Sequence, residues 1–95
     1  MDGSGDLTPR QRRILAFVRL YRNRNGRPPT LREVTAGCGL AAQSAAAYHV
    51  GRLEAEGYLL RERRIARGLR LTERGERAAL AAATRRGSDE AESRG

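Results

Sequence analysis

Lysine is absent from this chain, and all 19 of its basic residues are arginine. Arginine, alanine and glycine are abundant together, as a GC-rich genome produces, and that codon bias accounts for the choice of arginine. The physical consequence is a set of planar, forked cations suited to phosphates and guanine edges. A single cysteine, Cys38, excludes a disulfide within the chain. Long apolar runs are missing too: none approaches the ~20 residues of a membrane-spanning helix. The first residues, MDGSGD, are acidic and lack the apolar region of a secretory signal. His49 and Cys38 are too few for a zinc site, which takes about four ligands, and both read as structural.

What is present is positive charge. The whole chain carries +8. Residues 1–6 and the small, acidic stretch 87–95 read as disordered ends. Between them, residues 7–86 hold 18 arginines against six glutamates, a net +12. That length allows one domain around a single small core. An excess of this size favours a polyanion as partner, either nucleic acid or an anionic membrane.

Three helices are predicted in the first half. Thr8-Pro9-Arg10-Gln11 is a helix start: threonine caps, proline suits the first helical position, and Gln11 completes a capping box. Ile14, Phe17, Val18 and Tyr21 recur at helical spacing, with Arg12, Arg13, Arg19 and Arg22 on the other face. Asn25-Gly26 ends that helix, and the prolines at 28 and 29 hold an extended link. Thr30 to Glu33 forms a second capping box, opening a short helix with Leu31 and Val34 inward. That helix stops near Gly37-Cys38-Gly39, with Leu40 closing the turn. A third helix is expected over residues 43–56. Ala46, Val50 and Leu53 share one side, and Gly57 stands at a left-handed C-cap. Ser44, Tyr48, Gly51 and Ala55 then lie on the opposite side, flanked by Ala47 and Arg52.

The second half reads as a hairpin and a last helix. Strands are expected over residues 58–62 and 69–72, joined by the tip RRIARG. Residues 57–70 hold five arginines against one acid, Glu62. Thr72 caps a final helix over residues 73–86, mostly alanine, with Leu80 its one large apolar residue. The fold class is therefore mainly α with a small β-hairpin: a winged helix-turn-helix, with a three-helix core, a wing and an additional C-terminal helix. The division is 1–6 disordered, 7–72 winged helix-turn-helix, 73–86 C-terminal helix and candidate dimerisation element, 87–95 disordered acidic tail.

Residues 7–71 resemble the N-terminal DNA-binding domain of the LexA repressor family. The resemblance rests on LTPRQRRIL, GRPPTLREV, CGL, AYHVGRLEAEGYL and RGLRL. It implies a winged helix that reads a palindromic operator, with its third helix in the major groove and its wing on the flanking backbone. Carried over by position, the reading segment falls on residues 42–48, chiefly Ser44, Ala45, Ala47 and Tyr48, and the wing on residues 63–70. Full-length members of the family carry a Ser/Lys self-cleaving protease domain. This chain ends at Gly95 without a lysine, so no such self-cleavage is expected of it. The Ala45-Ala46-Ala47 run replaces the polar side chains often found there, so the family's operator is not expected to be shared.

Each candidate residue also has a plainer reading. Tyr48 can bond a base or phosphate or pack on a thymine methyl, or be a surface tyrosine. Gln43 and Ser44 can read bases, cap the helix, or both. Ala45 and Ala47 offer close approach or methyl contact, and Arg52 a charge beside them. Thr30 caps its helix and, with Arg32, is placed to meet a phosphate. Arg63, Arg64, Arg67 and Arg70 are the wing's candidates for the backbone or a narrow minor groove; the alternative is a solvated hairpin. No catalytic constellation surrounds His49, and neither an enzyme nor a cofactor is expected.

The expected function is a sequence-specific regulator on double-stranded DNA, a repressor, in the bacterial cytoplasm at the nucleoid and away from membranes. Palindrome reading requires two copies, either through the last helix or on DNA. A low-specificity architectural DNA binder is the second reading, because the reading helix has few polar side chains. A winged-helix protein-interaction adaptor is the third.

Overall fold

In the computed structural model, residues 7–94 are described apart from Ala66, with side chains as far as Ala83. The chain runs α1 (Pro9–Asn25), α2 (Leu31–Gly37), α3 (Gln43–Ala55), β1 (Leu59–Arg61), β2 (Leu69–Leu71) and α4 (Glu73–Arg94). This is a winged helix-turn-helix: four helices and an antiparallel two-strand hairpin.

Local chemistry sets most of the boundaries. At the start of α1, Gln11 N donates to the Thr8 hydroxyl over 3.1 Å, and Thr8 N donates back to the Gln11 side chain over 3.2 Å. Pro9 occupies the first helical position, where no amide hydrogen is needed. At the other end Gly26 takes the left-handed conformation, φ 74°, and its amide closes on the Arg22 carbonyl. The start of α2 repeats the device with Thr30 and Glu33, at 3.1 and 2.8 Å. Thr72 opens α4, its hydroxyl accepting from Gly75 N over 3.0 Å while donating to the Gly57 carbonyl over 2.7 Å. That second bond ties α4 to the end of α3.

The helix α3 starts differently from the sequence expectation. Its N-cap is Ala42, with no side-chain hydrogen bond, so neither Gln43 nor Ser44 caps it. Both lie inside the helix, one and two positions past the N-cap. The strands are also shorter than expected: Tyr58, Glu62 and Thr72 fall outside the ladder. Thr72 N instead donates to Tyr58 O just beyond the strand ends. The helix α4 continues to Arg94, past the expected end at residue 86 and across Gly87-Ser88-Asp89, which are not strong helix formers. The expected disordered N-terminus, residues 1–6, and the last residue of the expected tail, Gly95, lie outside the described residues.

The core lies where α1, α2, α3 and the hairpin converge. Ile14, Leu15, Val18, Val34, Ala46, Val50, Leu53 and Leu59 are all at most 1% exposed. Each large member contributes about 1.5–3 kcal/mol by leaving water. Leu40 closes the turn as expected. Phe17 packs on α2 at Gly37, where any Cβ would meet its ring. Along the outer side of α1 lies α4, burying Ala79 and Ala82 and adding an ion pair from Glu76 to Arg22. Among the described residues no helix is long and apolar enough to cross a membrane.

Candidate nucleic-acid interface

The period of α3 puts Ala46, Val50 and Leu53 in the core and therefore turns Ser44, Tyr48, Gly51 and Ala55 to solvent. All four are exposed, as are Gln43 and Arg52. Tyr48 is the largest of them, 63% exposed, its ring edge-on to His49 at 5.3 Å between centroids. Arg52 lies in the last turn, where a cation complements the helix dipole. The alanines divide. Ala47 is half-buried at the edge of this face. Ala45 is half-buried and packs on the core, so of the candidate readers it is the one turned furthest inward.

His49 sits behind Tyr48 with its Nδ1 buried and lacking a hydrogen-bond partner. Burial, and secondarily the charge of Arg10, push the imidazole below its ordinary value, so it is neutral near pH 7. Arg10 is an exposed residue in the first turn of α1.

The hairpin supplies the second surface. Leu59 pairs with Leu71, Leu60 with Arg70 and Arg61 with Leu69. Leu59 and Leu69 point into the core, so the alternate pair, Leu60 and Arg70, faces outward. Beyond Arg61 the chain turns back through Glu62 N to Gly68 O, 3.0 Å. Arg63, Arg64 and Ile65 are exposed on this turn. Arg63 approaches Glu54 of α3 at 3.6 Å but stays 66% exposed, which makes a weak, screened pair. Arg32 projects from α2 into solvent, and Thr30 is half-buried with its hydroxyl engaged in the cap.

Arg67 departs from the expectation of a free wing cation. Its Nη1 donates to Glu33 Oε1 over 2.8 Å and to Pro28 O over 3.0 Å, and its Nη2 to Glu33 Oε2 over 2.9 Å. The Tyr21 hydroxyl accepts a longer bond, 3.4 Å, and the guanidinium lies 5.9 Å from the Tyr21 ring centre. Hydrogen bonds from Arg67, and then from the Thr30 amide, hold the Glu33 carboxyl down to about 2. Its hydrogen bonds to Glu33 and then to Tyr21 raise the arginine's own value.

The α3 face and the hairpin arginines thus form a basic, exposed surface built from two elements on one small core. Its arginines suit an anionic backbone. Among the described residues no group of three or more His, Cys, Asp or Glu side chains could hold a metal ion.

Comparison with known proteins gives this surface a family. The model of the LexA DNA binding domain matches residues 4–68. The LexA repressor of Carboxydothermus hydrogenoformans is 40% identical over 65 residues, covering 68% of this chain and 32% of that protein. LexA repressor 1 of Geobacter sulfurreducens is 41% identical over 69 residues, 73% of this chain and 34% of its own length. The LexA repressor of Azoarcus sp. is 45% identical over 67 residues, with 70% and 33% covered. The chain spans about a third of the length of these relatives. That match spans more than half of the chain and takes in α1, α2, α3 and β1, so the chain belongs to the LexA DNA-binding-domain family.

Proposed function

We propose that this protein is a sequence-specific regulator of transcription that binds double-stranded DNA and acts as a repressor. The observation that carries the reading is the juxtaposition of the exposed α3 face, with Tyr48 at its centre, and the arginines of the wing. In this reading α3 enters the major groove. Gln43, Ser44 and Tyr48 meet base edges, Ala45 and Ala47 permit close approach, and Arg52 meets the backbone beside them. Thr30 and Arg32 at the start of α2, and Arg63, Arg64 and Arg70 on the wing, hold the phosphates. Two copies on a palindrome would set two helices about one DNA turn apart. The site of action is the nucleoid in the bacterial cytoplasm. Selection of bound fragments from genomic DNA tests the reading: an enriched, two-fold symmetric sequence is expected, and a pool without enrichment would sink the claim of specificity.

A second reading, a low-specificity architectural DNA binder, draws support from the outward face of α3. Two of its four central positions, Gly51 and Ala55, have no polar side chain to read with. Affinities for the selected duplex and a scrambled one, compared at one salt concentration, separate the two readings, since only the architectural one gives a ratio near unity.

A further inference from the structure

We infer that Glu33 and Arg67 form a clamp that fixes the wing against α2, so that Arg67 serves DNA binding as a positioning residue and not as a phosphate ligand. The inference rests on the DNA-binding reading above.

The geometry leaves Arg67 little to offer DNA. Its two terminal nitrogens are committed to Glu33, Pro28 and Tyr21. These partners come from three places: the last turns of α1, the link before α2, and α2 itself. Releasing Arg67 toward a phosphate would leave the Glu33 carboxylate facing the same polyanion without its counter-charge. Nor can Glu33 easily follow, because its Oε1 also accepts from Thr30 N in the capping box. The carboxylate is oriented by α2 before the wing arrives, and a bidentate fork then reads that orientation.

The wing needs such a fixture. Its ladder is three residues on each strand, and a lone two-stranded hairpin is marginal in water. Leu59 and Leu69 anchor its root in the core. Toward the tip, a second tether is the weak Arg63–Glu54 pair at 3.6 Å. The clamp therefore decides where Arg63, Arg64 and Arg70 point. It also cancels one positive charge among five closely spaced arginines that would otherwise repel one another.

The test uses the full chain and the duplex enriched from genomic DNA, with affinity measured across a salt series. Glu33→Gln keeps an acceptor for the Thr30 cap and raises the net charge by one. Long-range attraction alone makes that variant bind DNA more tightly; the clamp makes it bind several-fold more weakly. Arg67→Lys keeps the charge and loses the fork, and is expected to weaken binding as Arg67→Ala does. Arg64→Ala should cost several-fold in the native background and little in the Arg67→Ala background, because the wing is already displaced there. Tighter binding by Glu33→Gln, or losses from Arg64→Ala and Arg67→Ala that simply multiply, would overturn the clamp. Helix content by circular dichroism identifies any variant that fails to fold, and Glu33→Gln with Arg67→Lys then carries the test. A readout without DNA keeps the two readings apart. Amide exchange at Ile65, Gly68 and Arg70 should quicken by roughly tenfold in Arg67→Lys if the clamp holds the tip closed. Unchanged exchange rejects the clamp. Failure of the native chain to bind any duplex rejects the DNA reading instead.

Discussion

No room separates Gly75 from the carbonyl oxygen of Tyr58: a methyl group at residue 75 would overlap that oxygen. The first turn of α4 is thereby laid directly on the end of the chain segment that enters β1. Thr72 reinforces the contact by donating its backbone amide to the same carbonyl over 3.1 Å.

Gly75→Ala is therefore expected to destabilise the fold. The obstacle is backbone, which cannot rotate aside, so the cost falls at roughly 1–3 kcal/mol, typical of overpacking. For a domain of this size each kcal/mol lowers the melting temperature by about 4–8 °C. Thermal unfolding followed by circular dichroism checks it; an unchanged midpoint would show that α4 can slide.

Gly51→Ala should act in the opposite direction. Nothing lies within 4 Å of a Cβ built there, and the residue is in the middle of α3. Alanine is better than glycine in a helix by about 1 kcal/mol, so the melting temperature should rise. On the proposed interface the same methyl occupies space next to DNA, and affinity should fall. A variant that is both more stable and an equal or better binder would remove residue 51 from the contact surface.

The wing arginines should be visible in the salt dependence. Arg63→Ala with Arg64→Ala is expected to reduce the slope of log affinity against log salt by about one unit per lost phosphate contact. The loss should be similar for selected and scrambled duplexes, since phosphates carry no sequence. A Tyr48→Ala variant should instead narrow the gap between the two duplexes.

Acid should find Glu33. Its carboxyl is held down to about 2 in the fold and returns to the ordinary value near 4.5 when unfolded. Between those values the unfolded chain binds more protons, so the stabilisation is complete above pH 4.5 and fades as the pH falls toward 2. Because the pair is about a third exposed, solvent screening weakens this effect. Urea midpoints of the native chain and Arg67→Ala, measured from pH 7 to 2.5, should differ most above pH 4.5 and converge on acidification. Parallel curves would contradict the assignment.

Much of this architecture was legible in the chain because its signals are local. The boxes at Thr8–Gln11 and Thr30–Glu33 span four residues each, and Gly57 takes the positive φ expected of it, 85°. Ala46, Val50 and Leu53 follow from periodicity alone, and with them the exposure of Tyr48. What escaped was set by distance along the chain. The role of Arg67 depends on Glu33, 34 residues earlier, and on Tyr21, 46 residues earlier. In the sequence it is one arginine among five. The bare start of α3 comes from Ala42 standing as N-cap ahead of Gln43 and Ser44.

That bare start has a consequence for how the protein can change. The helices α1 and α2 begin with complete capping boxes, whereas α3 begins at Ala42 with none. An aspartate or serine at residue 42 would add about 0.5–2 kcal/mol to the helix. An aspartate would also plant a negative charge at the edge of the surface proposed for DNA. The two substitutions thus split a choice that is usually hidden. Serine offers stability with little electrostatic penalty, aspartate offers it at the expense of the polyanion. Serine at residue 42 thus separates the stability of α3 from the charge of its surroundings, and aspartate couples the two.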